Sequence, residues 1–332
     1  MSELNVTHGD IEANGINIHY VEQGEGPLVV FCHGWPESWY SWRHQIPAVA
    51  DAGFRAVAMS MRGYGDTGAP ETIDSYSIHH LIGDVVGVVN GLGEETAVVV
   101  GHDWGAPVAW YSALTRPDMF RAVAALSVPF TPAIGELPDG VTINDMMKLR
   151  AGPERDYYRL FFQEPGVAEA DLEADIRRSM LGVLYTISGD AVANGDLSEG
   201  WDGHFPAGTN MSDHFIIPDE LPSWLTEEDL DFYVAEITRS GFSGGLNWYR
   251  NINRLPGSLG PWVGTTIKQP SFYMGGSTDL IAGNTPEAIE GTRAALPDLR
   301  HLEILQGAGH WLQQERPDEV NAALVAFLGS LD

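Results

Sequence analysis

Short, wholly apolar runs recur along the chain, separated by longer amphipathic stretches. Leu28-Val29-Val30-Phe31-Cys32, Arg55-Ala56-Val57-Ala58-Met59, Ala97-Val98-Val99-Val100 and Val123-Ala124-Ala125-Leu126 are too short for helices and show no polar alternation. Runs of this kind predict strands buried on both faces of a parallel sheet. Between them, Ile78 to Leu92 and Ala106 to Thr115 carry helical spacing. Strand alternating with helix means a doubly wound α/β sheet. Upstream, Ile11, Ile16 and Ile18 alternate around Asn14-Gly15, which predicts an edge hairpin.

From about Thr131 to Pro261 the pattern changes. This stretch is helix-rich, holds a Gly/Asp/Asn-rich segment from Ser188 to Asn210, and has no run that reads as a buried parallel strand. The strand pattern then returns at Ser271-Phe272-Tyr273-Met274 and His301-Leu302-Glu303-Ile304-Leu305, followed by a closing helix from about Pro317 to Leu328. The expected organisation is an α/β core of residues 1–130 and 262–332, with a mainly helical lid, 131–261, inserted after the sixth strand. No internal repeat or low-complexity tail is present.

Composition narrows the partners. A formal net charge of −28 over 332 residues argues against nucleic acid and anionic membrane surfaces, which repel a polyanion. The surplus acid reads first as a solvated surface and second as adaptation to salt. Only Lys148 and Lys268 are lysines. No run is long and apolar enough to span a bilayer, and Met1-Ser2-Glu3-Leu4-Asn5 lacks the basic and apolar regions of a secretory signal. The single cysteine, Cys32, cannot form an intramolecular disulfide, so a reducing, cytoplasmic setting is expected.

The apolar run ending at Val100 leads straight into Gly101-His102-Asp103-Trp104-Gly105-Ala106 and then a helix. This is the small-x-nucleophile-x-small frame of a strand-to-helix elbow, with aspartate where serine is better known. The turn is so sharp that its flanks must lack bulk. The Trp104 N–H then sits at a helix N-terminus, where an oxyanion is favoured. An ordinary glycine-flanked N-cap aspartate is the plain alternative.

Three other elements at suitable chain positions favour the elbow. His33-Gly34-Trp35-Pro36 follows the first buried strand and resembles the loop that supplies a second oxyanion N–H, here from Trp35. In it His33 reads as structural, and Trp35-Pro36 is a candidate cis peptide. His310, in Gly307-Ala308-Gly309-His310-Trp311, follows the last strand, where such folds keep their base. Asp279 lies in Gly275-Gly276-Ser277-Thr278-Asp279, after strand Ser271–Met274, and can orient and charge-stabilise that histidine; the alternative for it is an Asx-turn. The order Asp103, Asp279, His310 is that of nucleophile, acid and base. The other position used for the acid, after Val123–Leu126, reads Ser127-Val128-Pro129 and offers no carboxylate. His8, His19, His44, His79, His80, His204, His214 and His301 have no comparable context, and His102 is directed away from the nucleophile's side of the turn.

An aspartate nucleophile restricts the chemistry. Attack on an ester gives a mixed anhydride with little gain, which excludes lipases and peptidases. Attack on a saturated carbon gives an alkyl–enzyme ester. Water deprotonated by His310 can then attack the Asp103 carboxyl carbon over the oxyanion hole. Epoxides and alkyl halides both fit. An epoxide, unlike a halide, also needs a donor on its ring oxygen, and a phenol of pKa about 10 can donate at neutral pH. Tyr158 and Tyr249 in the expected lid are candidates.

The strings His33-Gly34-Trp35-Pro36-Glu37-Ser38-Trp39-Tyr40-Ser41-Trp42-Arg43, Gly101-His102-Asp103-Trp104-Gly105, Phe162-Gln163-Glu164-Pro165-Gly166, Leu246-Asn247-Trp248-Tyr249-Arg250-Asn251 and Gly309-His310-Trp311 resemble those of soluble epoxide hydrolases, including the hydrolase domain of the mammalian enzyme and its bacterial and plant relatives. The resemblance runs from about Gly9 to the C-terminus and includes no counterpart of the mammalian phosphatase domain. It implies an α/β-hydrolase fold and conversion of epoxides to vicinal diols, with Tyr158 and Tyr249 binding the epoxide oxygen and Trp35 and Trp104 beside the substrate. Tyr157 is the competing register for Tyr158. The chain departs from the family's Asp-x-Arg-Gly-x-Gly-x-Ser loop at Ser60 and Thr67 while keeping Arg62, Gly63 and Gly65, and Ala106 stands where glycine is common.

The elbow is also similar to that of haloalkane dehalogenases, the alternative reading, but those often carry Asn where this chain has Trp35. A non-catalytic binding module is a third reading, disfavoured because the triad is complete. No cofactor and no metal are expected, since ligand spacing is absent. The expected partners are a small-molecule epoxide and water, and the chain could be a monomer or a homodimer. Trp201, Phe205, Phe215, Trp224, Phe232 and Phe242 either line a substrate tunnel or pack the lid.

Overall fold

The computed structural model describes residues 5–135, 137–138 and 140–331. Met1 to Leu4 of the N-terminal reading, two positions of the expected lid (136 and 139) and the terminal Asp332 lie outside the described residues. Strands β1 (Thr7–Ala13), β2 (Ile16–Gln23), β3 (Leu28–Cys32), β4 (Arg55–Met59), β5 (Ala97–His102) and β6 (Phe120–Leu126) come first in the chain. Next come β7 (Arg155–Tyr157) and β8 (His204–Pro206), then β9 (Ser271–Gly276) and β10 (Leu299–Leu305). Eight of them form one sheet in the order β1-β2-β4-β3-β5-β6-β9-β10. β2 is antiparallel to β1 and β4, and every other pairing in this sheet is parallel.

The apolar runs are buried for the expected reason. Every residue of β3 and β5 is buried, because helices cover both faces of a parallel sheet. Val30, Cys32 and Val99 point into one core, and Val29, Phe31, Val98 and Val100 into the other, as the two-residue period of a strand requires. The first core takes Leu81, Val85, Val88 and Val89 from helix Ile78–Gly91. The second takes Val320, Leu324, Phe327 and Leu328 from helix Pro317–Leu328. Each such side chain contributes roughly 1.5–3 kcal/mol by leaving water. Edge strand β1 keeps exposed positions, and its hairpin turns through Asn14 and Gly15 at φ 48° and 80°, as Asn-Gly requires.

Between β6 and β9 the chain is mainly helical, including Ile143–Ala151, Tyr158–Phe161, Val167–Leu172, Ile176–Thr186, Glu227–Ser240 and Ser243–Arg250. Antiparallel β7 and β8 add a small second sheet, which sequence patterning does not disclose because three residues per strand show no period. The insertion is bolted to the carboxyl ends of the main strands by polar contacts. Arg43 Nε pairs with Asp229 at 3.1 Å, Tyr40 Oη donates to Asp229 at 2.9 Å, and Trp248 Nε1 donates to the Arg62 carbonyl at 3.2 Å. Arg62 is itself buried against Asp84. In the same loop, Thr67 Oγ1 donates to the Ser60 carbonyl at 2.7 Å and accepts the His19 N–H at 3.0 Å. Ser60 Oγ lies 3.0 Å from His19 Nδ1, so the side chains at both departures from the family loop are hydrogen-bonded.

Candidate active site

The carboxyl ends of β3 and β5 are neighbours, and the loops leaving them meet. A Cβ on Gly101 would lie 2.0 Å from the Gly105 carbonyl oxygen, and one on Gly105 would lie 2.0 Å from that of Cys32. Glycine at both positions therefore lets β5 turn at once into helix Gly105–Thr115. Between them Asp103 is held at φ 47°, in the left-handed region that non-glycine residues seldom occupy. The turn lifts its carboxylate off the sheet toward the loop after β3, where Oδ1 accepts the Trp35 N–H at 2.7 Å. The Trp35–Pro36 peptide is cis. Trp104 stands at the N-cap of the helix, and its N–H makes no hydrogen bond to Asp103 among the described residues.

His310 is buried, with Nε2 3.6 Å from Asp103 Oδ2 and Nδ1 3.1 Å from Asp279 Oδ2. Its N–H is fixed by the Ile187 carbonyl of the insertion at 2.9 Å. Burial disfavours the charged imidazole, but Asp279 and Asp103 outweigh it, raising the histidine to about 10. Burial likewise opposes ionisation of Asp103, yet His310 and the Trp35 N–H hold it below the ordinary carboxylate range. The two directions agree, and both favour the charged pair.

Several contacts at this centre escape sequence reasoning. Ser127, immediately after β6 and at φ 69°, donates from Oγ to Asp279 Oδ2 at 2.7 Å and lies 3.1 Å from His310 Nδ1. The position that offers no carboxylate thus holds a hydroxyl between Asp279 and His310. His102 points to the opposite side from Asp103, where Nε2 donates to the His310 carbonyl at 2.8 Å and Nδ1 meets Glu37 Oε1 at 2.7 Å. Glu315 accepts the N–H groups of Gly309, Trp311 and Gly189 at 2.8–3.0 Å, and burial pushes its carboxyl up to about 7. These residues brace the His310 loop. A histidine adjacent to the elbow was the only visible signal for any of them. His33 is structural, accepting the Met61 N–H on Nε2 at 2.9 Å, and burial lowers it to about 4.

Tyr158 and Tyr249 converge over Asp103. Their ring centroids are 5.9 Å apart, and Tyr249 meets Trp104 edge-on at 5.2 Å and Trp35 at 5.9 Å. Both are buried, which pushes both phenols up. Gln163 Nε2 donates to the carbonyls of Arg159 and Tyr249, and Arg250 reaches the Phe162 carbonyl and Glu169. The two lid strings therefore interlock and hold the tyrosines together. Tyr157 turns the other way and stacks on His204 at 4.8 Å.

Two cavities reach Asp103 and Tyr249. The smaller, about 20 Å³, is closed by Trp35, Tyr158, Trp201 and Phe215, among others. The larger, about 270 Å³, has mainly apolar walls including Trp104, Pro107, Val128 and Leu259, with Arg159 on its rim. Of the lid aromatics, Trp201 and Phe215 line a cavity, while Phe232 stacks on Tyr40 at 4.2 Å and Phe242 packs against Trp35 at 6.2 Å. Among the described residues no helix is long and apolar enough to cross a membrane.

Comparison with known proteins fits this geometry. A family described as alpha/beta hydrolase fold matches residues 27–182. Epoxide hydrolase A of Mycobacterium tuberculosis is 43% identical over 97% of both chains. Bifunctional epoxide hydrolase 2 of Sus scrofa is 39% identical over 95% of this chain and 53% of its own length. The solved structure of an epoxide hydrolase from an endophytic Streptomyces superposes with a TM-score of 0.92 at 45% identity, covering 99% of this chain and 97% of that one.

Proposed function

Because the chain belongs to the epoxide hydrolases of the α/β-hydrolase fold, we propose that it opens small-molecule epoxides to vicinal diols through a covalent ester on Asp103. The observation that carries this is one carboxylate with its two oxygens differently engaged. Oδ1 is held by the Trp35 N–H and Oδ2 lies beside His310, beneath two buried phenols.

The ionised Asp103 attacks a ring carbon, and Tyr158 and Tyr249 hydrogen-bond the ring oxygen as its C–O bond breaks. Ester formation removes the negative charge that keeps His310 protonated. His310 then gives up its proton, by way of the two phenols, to the oxygen released from the ring and, oriented by Asp279 and Ser127, takes one from water. The hydroxide attacks the Asp103 carboxyl carbon, and the Trp35 and Trp104 N–H groups receive the oxyanion before the diol leaves. A halide departs unprotonated and has no use for two convergent phenols, which weighs against the dehalogenase reading. The buried free thiol of Cys32 supports a reducing, cytoplasmic setting.

The test is a panel of styrene oxide and trans-stilbene oxide assayed for diols, 1-bromobutane for bromide and p-nitrophenyl acetate for ester cleavage. Diol formation with negligible bromide release is expected. Bromide release exceeding diol formation would overturn the assignment.

A further inference from the structure

Arg159 follows Tyr158 on the short helix Tyr158–Phe161 and is half-buried at the wall of the larger cavity. The chain has 46 acidic against 18 basic residues, so an arginine ordinarily finds a carboxylate. Among the described residues this one has none within ion-pair distance. Its Nε instead donates to Tyr158 Oη at 2.9 Å. Its remaining contacts are a long one from Nη2 to the Ile281 carbonyl at 3.5 Å and the faces of Tyr157 and Tyr158 at 5.9 and 5.5 Å. Gln163 holds the Arg159 carbonyl at 2.7 Å, which fixes the backbone from which the side chain departs.

A guanidinium has donors and no acceptor. The Tyr158 hydroxyl must therefore accept from Arg159, and its single proton is left to point elsewhere, toward the space above Asp103. Tyr249 Oη makes no such bond among the described residues. The two phenols are chemically unequal although both reach the same cavity.

We propose that Arg159 is a positioning residue for ring opening: it commits Tyr158 Oη to accept on one side, which aims the proton at the epoxide oxygen, and it stands beside the phenolate that proton transfer leaves. The inference rests on the assignment of Tyr158 to the epoxide oxygen. As the C–O bond of the ring breaks and the bond to Asp103 Oδ forms, the Tyr158 proton passes to the departing oxygen. The phenolate keeps the negative charge against the guanidinium. The proton that His310 sheds after alkylation restores the phenol, so the cycle closes with water as the only reagent consumed. Tyr249 supplies a hydrogen bond without giving up its proton. The fixed cation favours the phenolate, in line with the opposing effect Arg159 has on the burial-raised Tyr158.

The test is single-turnover alkylation by trans-stilbene oxide, followed by tryptophan fluorescence, in the wild type, Arg159→Gln, Arg159→Lys, Tyr158→Phe and the Tyr158→Phe/Arg159→Gln double variant. A charge-assisted hydrogen bond lost in the transition state slows alkylation about ten- to a hundredfold in Arg159→Gln. Hydrolysis of the alkyl-enzyme should stay within about twofold, and Arg159→Lys should recover part of the loss. In the Tyr158→Phe background, removing Arg159 should change alkylation by no more than about twofold. An equal slowing in that background would place Arg159 on the substrate or in packing and overturn the inference. Wild-type alkylation in Arg159→Gln with slow alkylation in Tyr158→Phe defeats this inference alone, whereas fast alkylation in Tyr158→Phe defeats the Tyr158 assignment beneath it. Should the glutamine variant fail to fold, Arg159→Lys, which keeps the charge but lacks the planar Nε–H, carries the same double-variant comparison.

Discussion

Replacing Asp103 by asparagine measures how far the nucleophile's own charge holds His310 protonated. Nε2 of the imidazole lies 3.6 Å from Asp103 and Nδ1 lies 3.1 Å from Asp279. Against the cost of burial, these carboxylates raise the imidazole to about 10. At that separation from Asp103 and an effective dielectric near 20, a pair of unit charges interacts by about 4.6 kcal/mol, equivalent to roughly three pH units. Asp279 and Ser127 remain in Asp103→Asn. The imidazole should therefore fall by about two to three pH units, toward neutrality, without reaching the low values of a buried histidine that has no carboxylate. Asparagine is neutral, as the alkyl ester is, so the variant reports the protonation of the base at the stage where it must act. The assay is an NMR titration of ¹⁵N-labelled imidazoles, with His310→Gln assigning the resonance. It is run on fresh protein whose mass confirms that the amide has not been hydrolysed. A His310 titration unchanged near 10 would refute the idea that esterification of Asp103 releases the base.

Tyr158→Phe should slow alkylation on the order of a hundredfold and Tyr249→Phe by less, the double variant should be slower than either, and Tyr157→Phe should match the wild type in the same stopped-flow assay. Gly101→Ala places a Cβ on the Gly105 carbonyl and should cost at least about 1–3 kcal/mol, read as a lower denaturant midpoint; a wild-type midpoint would contradict the packing described for the elbow. His310 is raised above its unfolded value of 6.5 to about 10. Its contribution to stability is therefore complete below about pH 6.5 and is lost as pH rises through about 10. The thermal midpoint of the wild type should fall over that window more than that of His310→Gln, and parallel curves for the two would count against the ion pair.

What could be read in advance follows from the range of the interactions involved. β3 to β6 are legible because each residue's burial is written in its own side chain, and the elbow because Gly101 and Gly105 answer a local steric demand. Asp279 and His310 are legible because strand ends are. Ser127 is not, since its role depends on partners 152 and 183 residues away and on a positive φ that no serine advertises. His102 and Glu37 are hidden for the same reason: their contact with the His310 loop exists only after β5 and the C-terminal segment meet. That Tyr158 and not Tyr157 lines the cavity follows from β7 and β8, whose pairing turns Tyr157 onto His204, and three-residue strands leave no pattern to read. Arg159 belongs to none of the recurring strings, and only the folded chain brings its Nε onto Tyr158 Oη.

The covalent ester on Asp103 is the claim on which the rest depends, and trapping it is the most direct test. His310→Gln removes the base for the second step while leaving the nucleophile in place. Incubated with trans-stilbene oxide, this variant should gain the mass of one substrate molecule in intact-protein mass spectrometry, release no diol, and yield a modified peptide whose fragments put the added mass on Asp103. Diol formation with no adduct, or an adduct mapped to any other residue, would contradict nucleophilic attack by this carboxylate.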